Sequence, residues 1–257
     1  EEVMYFKNCG GGAIVDVTNI GANRDPLAAR RISEATGLHV VIGSAWYREK
    51  VYPAYVHQKM PNELARMIFK ELTEGIDDTG VRAGFIGEIG TERGYMTPAA
   101  ERVFRAAARA HRETGALIST HTTHLGELAS LQLDLFEEEG VDLTRVVVGH
   151  MGDYRGIGDL LPVVERGATV QFDHVGWPEF QKDDQRALNI RQLVDRGHVE
   201  RLVVSMDMCR RSFWHWFGGK GYDYLLTSFV PMLRQAGISD QHVGTILIDN
   251  PKRLLAY

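Results

Sequence analysis

Seven short apolar runs, separated by polar or glycine-containing turns and amphipathic stretches, constrain the fold of this chain more than any other feature. They occupy residues 13–18, 38–45, 83–90, 116–121, 145–150, 168–173 and 201–207, and they are rich in Val and Ile. Such runs are typical of strands buried on both faces of a parallel sheet. Strands alternating with helices, with no linker or shift in composition, predict one α/β domain over residues 1–257. The leading candidate is a (β/α)8 TIM barrel.

Helix signals lie between the apolar runs. The clearest helical stretches are residues 62–75, 97–115, 127–140, 188–197 and 222–237. Thr97 is a predicted N-cap with Pro98 at the first helical position, and glycines close several of these stretches. Residues 1–9 have the pattern of a helix end stopped by three glycines. Because a closed barrel needs eight strands and the chain begins in a helix, we expect strand one to lie upstream of Glu1.

Composition limits the classes of partner. A net charge of −5 argues against nucleic acid, which requires a concentrated basic face. No apolar run is long enough to span a membrane. Cys9 and Cys209 fit neither a disulfide framework nor a thiolate metal site, so we interpret them as reduced thiols of a cytoplasmic protein. The composition therefore argues against nucleic-acid and membrane partners.

Polar side chains stand at the carboxyl ends of five predicted strands, where barrel enzymes keep their chemistry. These residues are Glu88, His121, His150, His174 and Asp207. One histidine in a strand is more often a hydrogen-bonded core residue than a ligand, but five matching positions are hard to attribute to coincidence. Imidazole nitrogens and carboxylate oxygens together suit Zn²⁺ or a similar ion. The pattern predicts a divalent-metal site, with Asp207 as a ligand and proton acceptor.

Five motifs resemble the phosphotriesterase family of the amidohydrolase superfamily. They are GEIGT at 87–91, ISTHT at 118–122, VGHMGD at 148–153, QFDH at 171–174 and VSMD at 204–207. The segment GGKGYDY at 218–224 and the Asn250-Pro251 pair resemble its phosphotriesterase-related members. The resemblance covers nearly the whole chain. It implies a (β/α)8 barrel with two divalent metal ions, expected to be zinc, bridged by a hydroxide, and a homodimer.

The resemblance also implies roles for individual metal ligands. Glu88 matches the position that bridges the two metals, His121 and His150 match ligands of the second metal, and Asp207 matches a ligand of the first. The family's His-x-His pair on strand one is absent from this sequence. We expect the pair upstream of Glu1; the alternative is that the first metal site is broken.

A proton relay is implied by the same resemblance. Two metals lower the pKa of a shared water enough to supply hydroxide near neutral pH. Asp207 would take up the released proton, and His174 and Asp153 match the positions that pass it to solvent. Gly152-Asp153 is also a good turn or N-cap pair, which is the plainer interpretation of Asp153.

Candidates for a substrate pocket come from aromatic residues near strand ends and from the long loop at 208–222. They are Trp46, Tyr47, Trp177, Arg210 and Trp214. Aromatic residues above a barrel mouth suggest an apolar substrate wall. The alternative is a loop that packs on its own aromatic residues or on a partner subunit. His124, three residues after His121, receives no role.

The sequence therefore predicts a metal-dependent hydrolase that acts on a lactone, a carboxylic ester or a phosphotriester. The aromatic final loop favours a lactone or ester with an apolar tail. Two alternatives stay open: another amidohydrolase, such as a deaminase, whose helix-borne histidine motif is absent here, and a non-catalytic small-molecule binding protein on the same barrel.

Overall fold

The computed structural model describes residues 1–123, 126–153 and 156–257. Its frame is a seven-stranded parallel sheet in chain order: β1 Ala13–Asp16, β2 His39–Ser44, β3 Phe85–Gly90, β4 Ile118–His121, β5 Val146–Val148, β6 Thr169–Phe172 and β7 Leu202–Val204. Each strand pairs in parallel with the next, and all seven lie within the predicted apolar runs. Helices connect successive strands, so the architecture is that of a TIM-like (β/α) barrel. Among the described residues, β1 pairs only with β2 and β7 only with β6.

The helices agree with the predictions in most places. They are α1 Glu2–Asn8, α2 Pro26–Thr36, α3 Pro61–Thr73, α4 Pro98–Thr114, α5 Ala129–Glu138, α6 Ile157–Glu165, α7 Asp183–Asp195, α8 Val230–Gln235, α9 Asp240–Gly244 and α10 Asn250–Leu255. Turns of π-helix at Leu225–Phe229 and Thr245–Asp249 precede α8 and α10. The Thr97 hydroxyl accepts the N–H of Ala100 and so caps α4 as predicted. None of the described helices combines the length and apolar character needed to cross a membrane.

Helices α2 and α6 were not among the clear predictions, and α7 begins five residues earlier than the predicted stretch at 188–197. The first turn of α7 is polar, with Asp183 and Asp184 near the positive end of the helix dipole. Its apolar period therefore starts later than the helix itself. Short 3-10 turns complete the chain at Glu49–Val51, Ala54–His57, Leu143–Arg145, Val199–Arg201, Arg211–Phe213 and His215–Phe217.

Two apolar layers hold the sheet. The larger lies between the helices and the outer face of the strands. The smaller, which we call the inner cluster, consists of Phe85, Leu117, Val147 and Leu254. Leu254 belongs to α10, so this helix closes one end of the barrel. Full burial of each such side chain contributes ~1.5–3 kcal/mol.

The side chains that face the barrel interior change from apolar at the amino ends of the strands to polar at their carboxyl ends. Leu117 lies in the inner cluster, and the same face of the chain continues through Ser119 to His121. Between β6 and β7, the Gln171 Nε2 donates to the Ser205 hydroxyl over 3.0 Å. The carboxyl ends of the strands therefore carry the metal-binding residue types, above a polar middle and an apolar base.

Candidate metal centre

Three side chains from adjacent strand ends converge at the carboxyl end of the barrel. We call Glu88, His121 and His150 the metal trio. The Glu88 Oε1 atom lies 3.5 Å from the His121 Nδ1 and 3.8 Å from the His150 Nε2. The two imidazole nitrogens are 2.7 Å apart. All three donor atoms lie within 4.8 Å of one another, so a single ion could contact them all.

An irregularity in β3 brings Glu88 into this group. The β3–β4 register shifts between Ile86 and Ile89, as in a β-bulge. Phe85 faces the inner cluster, and Glu88, three residues later, faces the same interior. Strict alternation would send residues three apart to opposite faces, so the register shift is what turns Glu88 inward. The Asn19 amide supports the segment by donating to the Glu88 carbonyl over 2.6 Å.

A tight approach of β5 to β4 positions His150. A Cβ on Gly149 would lie 2.5 Å from the Thr120 carbonyl oxygen, so only glycine fits without movement. His150 has a φ of 58°, in the left-handed region. This turn lets its backbone N–H donate to the Asp173 Oδ2 over 2.8 Å, while its Nδ1 lies 3.0 Å from the Oδ1. Asp173 therefore orients the ring and leaves Nε2 facing the trio.

The electrostatics of the trio favour a cation. Burial lowers the pKa of His121, so its ring stays neutral, which is the form that binds a metal. Burial also disfavours protonation of His150, but Asp173, Glu88 and Asp207 outweigh it and raise its pKa to about 10. The pKa of Asp173, which burial alone would raise, falls to about 2 because of His150. Surroundings that attract a proton to His150 also attract a divalent ion.

A second chain of contacts begins at Asp207. Its Oδ2 lies 3.1 Å from the His174 Nε2, and the His174 Nδ1 lies 2.7 Å from the Asp153 Oδ2. Burial opposes a proton on His174, but hydrogen bonds to Asp153 and Asp207 prevail and raise its pKa to about 9. The three residues predicted as a relay are therefore neighbours, and their part in catalysis stays a prediction.

The donor set fits a divalent ion at the trio, since it joins two imidazole nitrogens and one carboxylate oxygen. For the first metal, Asp207 and Glu88 are the predicted ligands among the described residues. The His-x-His pair expected upstream of Glu1 stays a prediction. Asp173 and His174 form a second group with His150 that could hold an ion, although the Asp173 oxygens already contact His150.

Three predicted pocket residues lie beside this centre. The Tyr47 hydroxyl is 3.3 Å from the His121 Nδ1, and the two rings meet edge to face. Trp177 packs against His174 with ring centroids 4.7 Å apart. The Arg210 guanidinium lies 5.3 Å above the Trp177 ring and reaches solvent. Their contact with substrate stays a prediction.

Of the other two predicted pocket residues, Trp46 lies in the core, and the pocket role of Trp214 stays a prediction. Trp46 is fully buried in the outer core and its indole N–H donates to the Tyr55 hydroxyl, so the expectation that it reaches the mouth is wrong. Neighbouring residues of an extended segment point to opposite sides, and Tyr47 takes the side of the metal trio. Trp214 is half-buried and packs near Phe217, 6.3 Å away between ring centroids. His124 lies outside the described residues.

Sequence reasoning missed two residues of the centre. Asp173 stands beside His174 in the QFDH motif, and its contact with His150 joins positions 23 residues apart. Arg186, whose side chain is fully buried, lies 3.6 Å from Asp153. Its position in the polar first turn of α7 carries no sign of burial.

The fold and the site together define a (β/α)-barrel protein with a candidate divalent-metal centre at the carboxyl ends of its strands. A model of the phosphotriesterase family matches residues 1–255, and the chain belongs to this family. The phosphotriesterase homology protein of Escherichia coli is 40% identical over 253 residues, which are 98% of this chain and 86% of that protein. Its crystal structure, described as complexed with phosphate in the active site, superposes with a TM-score of 0.95 at 39% identity over 98% of this chain and 87% of that chain.

Two further relatives are named as hydrolases. An N-acetyltaurine hydrolase of Dictyostelium discoideum is 33% identical over 269 residues, which are 99% of this chain and 71% of that protein. A lactonase from Listeria monocytogenes has a TM-score of 0.94 at 26% identity, over 100% of this chain and 84% of that chain.

Proposed function

We propose that the protein is a metal-dependent hydrolase that opens a lactone or cleaves a carboxylic ester with an apolar tail. The observation that carries this proposal is the metal trio beside the chain of contacts from Asp207 to Asp153. A structurally similar protein named as a lactonase supports it. We further propose two bound ions, with zinc as the expected metal.

When bound, divalent ions would supply an activated water and polarise the carbonyl oxygen of the substrate. Glu88, His121 and His150 would hold one ion, and Asp207 with Glu88 would contribute to the other. The protein's own groups then handle the proton. Asp207 Oδ2 accepts it from the attacking water, His174 Nε2 takes it over, and Asp153 stabilises the charged ring through Nδ1. A cation held by Asp207 would lower the His174 pKa from its metal-free value of about 9, which leaves Nε2 free to accept the proton.

An apolar wall beside the relay suits the substrate tail. Trp177 and Phe213 pack with ring centroids 4.4 Å apart, next to His174. Farther along the same loop, Trp216 and Phe217 are 82% and 55% exposed. Exposed aromatic side chains on a loop that also packs against Trp177 are suited to contact a ligand with apolar surface.

A second candidate is hydrolysis of an N-acyl amide whose leaving group carries an anion. Arg210 favours it, because its exposed guanidinium lies over Trp177 and forms no ion pair within the described part of the chain. The relative named as an N-acetyltaurine hydrolase supports the same chemistry. The guanidinium would pair with a carboxylate or sulfonate of the substrate.

The test uses the zinc-loaded protein and four substrates: an alkyl-substituted lactone, an aryl ester, paraoxon and N-acetyltaurine. We expect the lactone or ester to give the highest kcat/KM, and efficient paraoxon hydrolysis without lactone hydrolysis would contradict the proposal. Asp207→Asn should abolish turnover with the fold intact. Arg210→Gln separates the two candidates, since it should weaken only the anionic amide. Metal analysis should find about two zinc ions per chain, as in two-metal sites.

A protein that binds these compounds without any turnover would support the binding-protein alternative instead. We also propose a homodimer in the cytoplasm, which light scattering of the purified protein and fractionation of the source cells would test.

A further inference from the structure

Arg186 is an unusual feature of the interior because its side chain is fully buried in the first turn of α7. A buried guanidinium is costly unless partners surround it. Its Nη1 donates to the Gln181 carbonyl over 2.6 Å and to the Asp183 Oδ1 over 2.8 Å. Its Nη2 donates to the Trp177 carbonyl over 3.1 Å. The guanidinium is therefore held, away from solvent, by the segment after β6 and by the first turn of α7.

On the side of the metal centre, the guanidinium faces Asp153. The Nη2 atom lies 3.6 Å from the Asp153 Oδ1, and both side chains have no solvent exposure. The other carboxylate oxygen contacts the His174 Nδ1. Within the described residues the Oδ1 accepts no hydrogen bond, and Arg186 is its ion-pair partner.

On the opposite side, Asp183 connects the guanidinium to two other segments. Its two carboxylate oxygens accept the backbone N–H of Gly176 over 3.0 and 3.1 Å. One of them also accepts the Tyr224 hydroxyl over 3.0 Å. Gly176 precedes Trp177 in the segment that follows β6, and Tyr224 follows the final loop. One guanidinium thus joins the relay to both segments beside the expected pocket.

We infer that Arg186 is a positioning residue for the proton relay, holding the Asp153 carboxylate so that the His174 ring keeps its orientation towards Asp207. This inference rests on the proposed function, in which Asp207 and His174 move the proton. Because a guanidinium is planar with donors in a fixed fork, it can face Asp153, Asp183 and the Trp177 carbonyl at once. The single ammonium of a lysine cannot span these positions.

The test compares Arg186→Gln and Arg186→Lys in the zinc-loaded enzyme. We expect Gln to lower kcat by about 10- to 100-fold and to change KM by less than about twofold. This pattern is expected when a residue that orients a catalytic group, but does not contact the substrate, is lost. Lysine should give an intermediate kcat. Arg24→Gln is the matched control, since it also breaks a largely buried ion pair, with Glu71. Within the described residues, this pair has no hydrogen bond to the metal trio or to the relay. The control should lower stability and leave kcat unchanged.

A double variant separates positioning from general damage to the fold. Arg186→Gln in an Asp153→Asn background removes both charges of this ion pair, while Asp183 keeps its hydrogen bonds from Gly176 and Tyr224. If Arg186 acts through Asp153, its loss should lower kcat by less than about threefold in that background. A full additive loss would overturn the inference.

A spectroscopic measurement keeps this inference independent of the substrate. The Nδ1 proton of His174, in its hydrogen bond to Asp153, should give a downfield ¹H resonance, assigned by its absence in His174→Asn. We expect Arg186→Gln to shift or remove this resonance and Arg24→Gln to leave it unchanged. An unchanged resonance in Arg186→Gln would refute the positioning role. Absence of turnover by the wild-type protein would instead count against the proposed function alone.

Discussion

Replacing Asp173 by Asn tests how a neighbouring carboxylate sets the metal-binding atom of His150. Asp173 accepts the His150 backbone N–H over 2.8 Å, and its second oxygen lies 3.0 Å from the His150 Nδ1. An asparagine can keep the first contact through its oxygen, which then directs its NH₂ group at Nδ1. The His150 ring must then accept a hydrogen bond at Nδ1 and carry its own proton on Nε2. That nitrogen faces Glu88 and His121, so the preferred tautomer no longer offers a ligand to an ion at the trio.

The expected loss of zinc affinity is about 10- to 100-fold, or ~1.4–2.7 kcal/mol, as for other carboxylates that orient a ligand histidine. Competition with a chromogenic chelator measures it directly. Asp153→Asn is the matched control, because Asp153 is an equally buried carboxylate that contacts the His174 Nδ1 instead. This control should lower kcat and retain zinc affinity. If Asp173→Asn binds zinc within about twofold of the wild type, the tautomer argument is refuted.

The remaining predictions concern stability. His150 and His174 have pKa values raised to about 10 and about 9, so in the metal-free protein their contribution is complete below about 6.5 and is lost as the pH rises through 9 to 10. The contribution of Asp173, whose pKa is lowered to about 2, is lost as the pH falls through that value. Melting temperatures measured across pH, with and without zinc, check both predictions. If the melting temperature of the zinc-free protein falls no more steeply above pH 9 than that of the zinc-loaded protein, the prediction for the two histidines is contradicted. Gly149→Ala should cost ~1–3 kcal/mol because its Cβ meets the Thr120 carbonyl, whereas Gly158→Ala, which meets no atom, should be neutral or stabilising in denaturant titrations.

The strands could be predicted from the sequence because strands buried on both faces need unbroken apolar runs, and each run of Val and Ile here became one strand. Helix α4 was equally clear, since Thr97 and Gly115 mark its two ends. Helix α7 was predicted too short because its first turn is polar on the outside and its one buried side chain there is an arginine. Hydrophobic periodicity detects buried apolar residues and therefore cannot reveal a buried arginine.

The candidate metal ligands could be predicted because each is a His or a carboxylate at the carboxyl end of a predicted strand. Glu88, His121 and His150 converge because parallel strands deliver their carboxyl ends to the same rim. The contacts of Asp173 and Arg186 were not predictable, because they join β5 to β6 and α7 to the loop after β5, and sequence carries no direct sign of such pairs. Trp46 shows that lying near a strand end does not by itself place a residue at the barrel mouth, since Trp46 is next to Tyr47 and points to the opposite side.

The grading of the barrel interior has a consequence for how readily this protein can acquire new activities. Candidate metal ligands stand on β3 and β4 or just after β5 and β7, above a base closed by Leu254, while the exposed Trp216 and Phe217 belong to a loop that carries none of the trio. Under the proposed function, randomising that loop should change the substrate preference while the candidate metal ligands stay in place. In the proposed enzyme, the residues needed for catalysis thus lie at the strand ends, and the final loop can vary without changing them.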